Sequence, residues 1–219
     1  MELTAKKINF LGDSITEGVG TSSKANIYLN LLKEECQLAE ARNYGKSGTR
    51  IARQIDVTDD PFDRDFLIRA ETMADDADIV VVFGGTNDFG HGEVALGTME
   101  DRNVHTFYGA MHTLCRFLIE KYVGKTIVFM TPLHRRSEGA DTNISKHLGI
   151  AARPLIDYVR AIREVCEYKS LPVLDLYANS GISGNVPAYC EKFIPDGLHP
   201  NDAGHRVIAD KLRRFLEAL

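Results

Sequence analysis

Tryptophan is absent from this sequence of 219 residues, and cysteine occurs only four times. The sequence also lacks a run of about eighteen or more apolar residues, the length that a membrane-spanning helix requires. Its amino-terminal stretch, Met1–Lys7, has no apolar segment of the kind found in secretory signal peptides. The scattered cysteines predict buried free thiols rather than a disulfide framework: Cys36, Cys115, Cys166 and Cys190. We therefore expect a cytoplasmic protein without a membrane span.

A block of basic residues is absent as well. The 26 Lys and Arg residues are dispersed among 31 Asp and Glu residues, and the formal net charge is −5. Such a pattern gives no positive surface for nucleic acid, so we expect a small-molecule ligand. The length suits one large domain, 1–219, and a domain of this size buries about 70% of the surface that its unfolded chain exposes.

Apolar segments with strand character alternate with helical patterns along the chain. The predicted strands are 7–11, 38–44, 78–83, 125–131 and 171–176, and the predicted helices are 26–36, 65–74, 106–122, 150–169 and one that begins near Pro200. We interpret 89–103 as a long loop and 133–149 as irregular. The alternation predicts right-handed crossovers and a parallel sheet that is covered on both faces. The expected fold is a three-layer α/β/α sandwich of the flavodoxin-like type with a five-stranded parallel sheet.

Ser14 follows the first predicted strand within Gly12-Asp13-Ser14, which places its hydroxyl at the carboxyl end of that strand. Open α/β sheets bind their ligands at this edge, so Ser14 is a candidate nucleophile. The alternative is a helix cap. Glu17 stands three residues later and completes a capping box that would occupy the Ser14 hydroxyl.

Gly48 and Asn87 follow the second and third predicted strands, and the ends of parallel strands meet at one edge of the sheet. Acyl transfer to a serine requires donors aimed at the developing oxyanion. The Gly48 N–H is not obstructed by a side chain, the Asn87 amide offers two N–H groups, and the Ser14 N–H lies at a helix start. The alternatives are a turn glycine with positive φ at Gly48 and an Asx turn at Asn87.

Asp196 and His199 stand three residues apart in a turn bounded by two prolines, after the last predicted strand. The carboxylate can accept a hydrogen bond from the imidazole and select its tautomer, as in a hydrolase triad. One alternative is that Asp196 caps a turn and His199 is only a neighbour of the last helix. Another is a metal site that includes the nearby Asp202 and His205. These four residues match no recognised metal-ligand spacing, so we expect neither a metal nor a cofactor.

Four blocks of the sequence resemble the SGNH family of GDSL hydrolases. Gly12-Asp13-Ser14 resembles the nucleophile block, and Asn43-x-Gly45-x-Ser47-Gly48 resembles the block of the oxyanion glycine. Gly85-x-Asn87-Asp88 resembles the block of the oxyanion asparagine, and Asp196-x-x-His199 resembles the block of the acid and base. Thr16 stands where the nucleophile elbow of an α/β-hydrolase has its second glycine, which argues against that other fold.

The resemblance implies the flavodoxin-like fold of that family and metal-free hydrolysis of carboxylic esters or thioesters through an acyl-serine. It also implies that Ser14, Asp196 and His199 are catalytic, and that Ser14, Gly48 and Asn87 form the oxyanion hole. Members of the family act on lipids, aryl esters, acetylated sugars and acyl thioesters, and some transfer acyl groups. The three loops that would line the pocket, 49–63, 89–103 and 133–149, are mostly polar, which favours short acyl chains, such as an O-acetyl group on carbohydrate. The alternatives are a lysophospholipase, a thioesterase or an acyltransferase, and a noncatalytic binding module.

Overall fold

The computed structural model describes residues 1–60, 63–140 and 151–219. Its centre is a sheet of five strands, all parallel, in the order β2-β1-β3-β4-β5. The strands are β1 Lys7–Gly12, β2 Glu40–Gly45, β3 Ile79–Phe83, β4 Thr126–Met130 and β5 Val173–Leu174. This order is the flavodoxin-like one, and the predicted α/β fold with a five-stranded parallel sheet is confirmed.

Nine α-helices accompany the sheet in the described ranges of the chain. They are α1 Ser14–Glu17, α2 Tyr28–Glu35, α3 Phe66–Glu71, α4 Thr86–His91, α5 Phe107–Lys121, α6 Leu155–Tyr168, α7 Leu176–Asn179, α8 Pro187–Phe193 and α9 Asp202–Ala218. None of them is long and apolar enough to span a membrane.

The structure corrects several of the predicted boundaries. Helix α4 overlaps the stretch 89–103 that the sequence predicts as a loop, and α7 and α8 have no predicted counterpart. The last helix begins after Pro200, because the Asn201 side chain accepts the Gly204 N–H at 3.1 Å and acts as the N-cap. Helix α6 begins at Leu155, whereas its predicted start and much of 133–149 lie outside the described residues.

The central strand β3 is buried on both faces, as its continuous apolar sequence predicts. Val80 and Val82 face the core formed with α3, α5 and α6, whereas Ile79, Val81 and Phe83 face the core formed with α2, α8 and α9. Helices cover both faces of the sheet, so a ligand is expected at the ends of the strands. The carboxyl ends of β1, β2 and β3 therefore open together towards α1, the loop 46–49 and α4.

The start of α9 is joined to the segment that precedes α2 and to Tyr28, the first residue of α2. The Asp202 carboxylate accepts hydrogen bonds from the Ser22 N–H at 2.8 Å and from the Asn26 side chain at 2.9 Å. The His205 ring stacks on Tyr28, with centroids 6.0 Å apart, and its Nδ1 accepts the Tyr28 N–H at 3.2 Å. Asp202 and His205 thus hold two parts of the chain together rather than facing a common ligand.

We expect acid to destabilise the protein through His205. Burial lowers the pKa of its imidazole from 6.5 to about 4 in the folded state. Because the unfolded chain takes up its proton near the ordinary value, the contribution of the neutral imidazole to stability is complete above pH 6.5. It is lost as the pH falls through the window between the two pKa values, by up to about 3 kcal/mol. Thermal unfolding across this window measures the effect.

His205→Asn is the informative variant, because its side chain cannot titrate in this range. It should unfold at a lower temperature at neutral pH, since it loses the ring stacking on Tyr28. Its melting temperature should nevertheless decline less on acidification than that of the wild type. A decline as steep as that of the wild type would contradict the assignment to His205.

Candidate active site

Ser14 is the first residue of α1 and follows β1 directly after Asp13. Asp13 is the N-cap, because its carboxylate accepts the Ile15 N–H at 3.0 Å. Glu17 binds another loop, with its carboxylate accepting the Ser47 N–H at 2.6 Å. The capping-box interpretation of Ser14 is therefore wrong, and its hydroxyl is available to a different partner.

That partner is His199. Oγ of Ser14 lies 3.0 Å from Nε2 of His199, and Nδ1 of His199 lies 2.6 Å from Oδ2 of Asp196. Oδ1 of Asp196 also accepts the N–H groups of Leu198 at 2.8 Å and of His199 at 2.7 Å. With the Nδ1 proton donated to Asp196, the lone pair on Nε2 faces the serine hydroxyl. This geometry allows His199 to remove a proton from Ser14.

The surroundings of Asp196 favour its ionised form. Partial burial raises the pKa of this carboxyl, but the hydrogen bonds from the His199 side chain and from the two backbone N–H groups outweigh that effect and hold the pKa below its usual value. The carboxylate therefore stays charged at neutral pH. It can both orient the imidazole and stabilise an imidazolium.

The loop that carries His199 is held from both sides. Gly20 has φ +95°, and a Cβ there would lie 2.4 Å from the Pro200 carbonyl oxygen, so only glycine allows this close approach. On the other side, the Arg136 N–H donates to the Gly197 carbonyl at 2.8 Å, and the Arg136 guanidinium donates to the Pro195 carbonyl at 3.1 Å. These contacts fix the position of His199 relative to α1, which carries Ser14.

Asn87 lies in the first turn of α4 and is 5% exposed. Its Nδ2 donates to the Thr49 carbonyl at 3.0 Å, which ties α4 to the loop that contains Gly48. This bond reaches a different segment, so it is not the local contact that defines an Asx turn. Gly48 itself has φ +73°, as the turn-glycine interpretation predicts, and that conformation leaves its N–H without a side chain in front of it.

Asp88 closes the Gly85-x-Asn87-Asp88 block, and the sequence analysis gave it no role of its own. Its two carboxylate oxygens accept the N–H groups of Ile51 at 3.0 Å and of Ala52 at 2.8 Å. Burial raises the pKa of this carboxyl to about 6, against the effect of those N–H groups. Asp88 anchors the chain beyond Thr49, and its only signal in the sequence is its place next to Asn87.

Arg135 borders the same edge of the sheet. Its guanidinium donates to the carbonyl and the hydroxyl of Thr86, each at 3.2 Å, and lies over the Phe89 ring at 5.2 Å from the centroid. Gly90 makes room for it, since a Cβ there would lie 3.1 Å from Nη1 of Arg135. A cation thus lies beside the turn of α4 that carries Asn87.

Metal-binding side chains do not gather at this site. Within the described ranges, no group of three or more His, Cys, Asp or Glu side chains is arranged to hold an ion. The chemistry that the geometry offers is that of a serine, an imidazole and a carboxylate in line, next to amide donors.

Comparison with known proteins assigns the chain to a family. The sequence model of the GDSL-like lipase/acylhydrolase family matches residues 10–207. A Lactobacillus plantarum protein of known structure is 32% identical over 98% of both chains, with a TM-score of 0.84. No curated protein matches the chain.

More distant structures share the fold. The lipase/acylhydrolase from Enterococcus faecalis is 24% identical over 97% of this chain and 96% of its own, with a TM-score of 0.65. A member of the lipolytic G-D-S-L family from Veillonella parvula is 16% identical over 97% of this chain and 99% of its own, with a TM-score of 0.64. Since the family match runs from within β1 into α9 and includes the Ser14 motif and the His199 loop, this chain belongs to the GDSL-like lipase/acylhydrolase family of hydrolases.

Proposed function

We propose that the protein is a serine esterase that cleaves carboxylic esters through an acyl-serine intermediate. The observation that carries the proposal is the line of hydrogen bonds from Ser14 Oγ to His199 Nε2, 3.0 Å, and from His199 Nδ1 to Asp196 Oδ2, 2.6 Å. In this role Ser14 is the nucleophile, His199 the general base and Asp196 the group that orients the base.

In the acylation step, Ser14 Oγ attacks the ester carbonyl carbon while His199 takes the hydroxyl proton. The tetrahedral intermediate then collapses, the bond to the alcohol oxygen breaks, and the imidazolium returns the proton to the leaving alcohol. Water then attacks the carbonyl carbon of the acyl-serine while His199 removes a proton from the water. The bond to Ser14 Oγ breaks, Ser14 takes that proton from His199, and the carboxylic acid is released. Asp196 remains a carboxylate throughout.

Negative charge develops on the former carbonyl oxygen, and the backbone N–H groups of Ser14 and Gly48 and the side-chain amide of Asn87 are the proposed donors to it. Asn87 uses one of its amide hydrogens for the Thr49 carbonyl. That bond fixes the amide plane before the substrate arrives. Donors that are fixed in advance need no reorganisation as the charge forms, which is why such groups contribute strongly to rate.

The substrate we propose is an ester of a short acyl chain on a polar alcohol, such as an O-acetyl group on carbohydrate. Arg136 lies beside the turn that carries Asp196 and donates to the Pro195 carbonyl at 3.1 Å. Arg135 adds a cation on the α4 side. Two cationic side chains beside the site favour a hydroxyl-bearing leaving group over a long hydrocarbon chain.

We further propose that the chain acts as one hydrolase domain in the cytoplasm. All four cysteines are free, and three of them are buried, which is compatible with a reducing compartment.

Ser14→Ala should abolish ester hydrolysis and leave the melting temperature almost unchanged. Loss of a nucleophile lowers turnover by several orders of magnitude. The cap of α1 is Asp13, so the helix keeps its N-terminal hydrogen bond. Hydrolysis of p-nitrophenyl acetate and thermal unfolding measure the two effects. Labelling by a fluorophosphonate should map to Ser14 in the wild type.

Ser180→Ala is the matched control, because Ser180 is also 5% exposed and its hydroxyl accepts the Ile182 N–H at 3.2 Å. This variant should keep its turnover and its labelling. Substantial turnover in Ser14→Ala would exclude Ser14 as the nucleophile.

Asn87→Ala should lower kcat by about 10²–10³ with little change in KM, because the amide donates to the oxyanion rather than to the bound ester. Asn87→Asp should be at least as damaging, since a carboxylate would face both the Thr49 carbonyl and the developing negative charge. Steady-state kinetics of both variants test this. An Asn87→Asp enzyme with near wild-type kcat would mean that another group serves the oxyanion.

A series of p-nitrophenyl esters tests the substrate class. If the acyl site is short, kcat/KM should be highest for acetate and fall as methylene groups are added. An apolar trough would instead gain up to about 0.8 kcal/mol for each buried methylene. A steady rise of kcat/KM with chain length would favour a lysophospholipase or thioesterase.

A further inference from the structure

Arg69, in α3, joins three segments that meet at the candidate active site. Its Nη2 donates to the carbonyl oxygen of Gly12, at the end of β1, at 2.9 Å, and also to the carbonyl oxygen of Tyr44 in β2. Its Nη1 donates to the Thr49 hydroxyl at 2.7 Å. One guanidinium therefore links the two neighbouring strand ends to the loop that follows Gly48.

Thr49 contacts two donors of the proposed oxyanion hole, the Asn87 side-chain amide and the backbone N–H of Gly48, so a bond that holds Thr49 also restrains them. Its carbonyl accepts the Asn87 amide at 3.0 Å, and its backbone continues directly from Gly48. Its hydroxyl, held by Arg69, donates in turn to the Lys46 carbonyl at 2.7 Å. The Lys46 N–H donates to the Gly12 carbonyl at 3.1 Å. The bond from Thr49 to Lys46 therefore closes the loop 46–49, and Arg69 holds the loop at Thr49.

The acceptors of Arg69 are neutral. In the part of the chain that the structure describes, no carboxylate oxygen lies within 4.0 Å of its guanidinium nitrogens. Burial lowers the pKa of Arg69 to about 10, with Asp13 opposing that effect, so the side chain is still charged at neutral pH. A planar fork of donors can hold several acceptors in one fixed arrangement, which the single nitrogen of lysine cannot do.

We propose that Arg69 is the positioning residue of the oxyanion hole: it holds Thr49, and through Thr49 it holds the Gly48 N–H and the Asn87 amide in place against Ser14. This role rests on the proposed ester hydrolysis. Because the donors it positions act on the transition state, its loss should lower kcat and leave KM nearly unchanged.

Arg69→Ala is the first test. A displacement of catalytic groups by about 1 Å can cost about 10²-fold in rate, and we expect a loss of kcat of that size. A cavity of about 210 Å³ between Tyr44, Lys46 and Thr72 reaches the Arg69 side chain from solvent. Millimolar guanidinium should therefore enter the space left by the substitution and restore part of kcat. A merely structural role would instead lower the melting temperature and the final extent of fluorophosphonate labelling, whereas a positioning role lowers kcat in protein that is still fully labelled.

Arg42→Ala is the matched control. Arg42 lies within β2, three residues before the strand ends at Gly45, and pairs with Asp76 and Glu40. Its substitution should lower the melting temperature, leave kcat as in the wild type and show no guanidinium rescue. Arg69→Lys is the second variant at the site, and it should fold and show a kcat between those of the wild type and Arg69→Ala.

Thr49→Val tests the route from Arg69 to the donors, because it removes the hydroxyl and keeps the carbonyl that Asn87 binds. If Arg69 acts through Thr49, the double variant Arg69→Ala/Thr49→Val should lose little more kcat than Arg69→Ala alone. Additive losses would overturn the proposed route. A wild-type kcat in either Arg69 variant would overturn the role of Arg69. An inactive wild type that no fluorophosphonate labels would overturn the proposed function, and the positioning role with it.

Discussion

The hydrogen bond between Ser14 and His199 joins residues 185 positions apart, and the rest of the structure serves to bring those two side chains together. Because all five strands are parallel, the segments that follow β1, β2 and β3 leave the sheet at one edge. Ser14, the loop 46–49 and Asn87 occupy those three places. His199 reaches the same edge from the end of the chain, on the loop before α9.

The elements at this edge are too short to be stable on their own propensities. Helix α1 has four residues and α4 has six, and isolated helices of this length do not form in water. Buried side chains hold them through bonds to backbone groups: Asp13 to Ile15 on α1, and Asn87 to Thr49 on α4. Burying such groups costs free energy unless each is hydrogen-bonded, and these bonds offset that cost.

Long-range contacts also determine where the base lies. Helix α9 is fastened through Asp202 to the segment before α2 and through His205 to the first residue of α2, and that segment meets Pro200 at Gly20. The base and the buried imidazole of His205 therefore belong to one connected part of the molecule. Weakening the start of α9 removes support from the loop that carries His199.

The sequence alone determined the α/β class, the parallel sheet and the family, because apolar runs and short motifs are local properties that folding does not alter. It also singled out Ser14, Gly48, Asn87, Asp196 and His199, which the structure gathers at one edge. The tertiary structure decided whether Asp13 or Ser14 caps α1, since both residue types can cap and only the observed bond from the Ile15 N–H to the Asp13 carboxylate distinguishes them. It decided that the polar stretch at Thr86 is a helix, since buried bonds rather than periodicity stabilise α4. It alone revealed Arg69, because the acceptors of one guanidinium come from three distant segments and no spacing along the chain records their convergence.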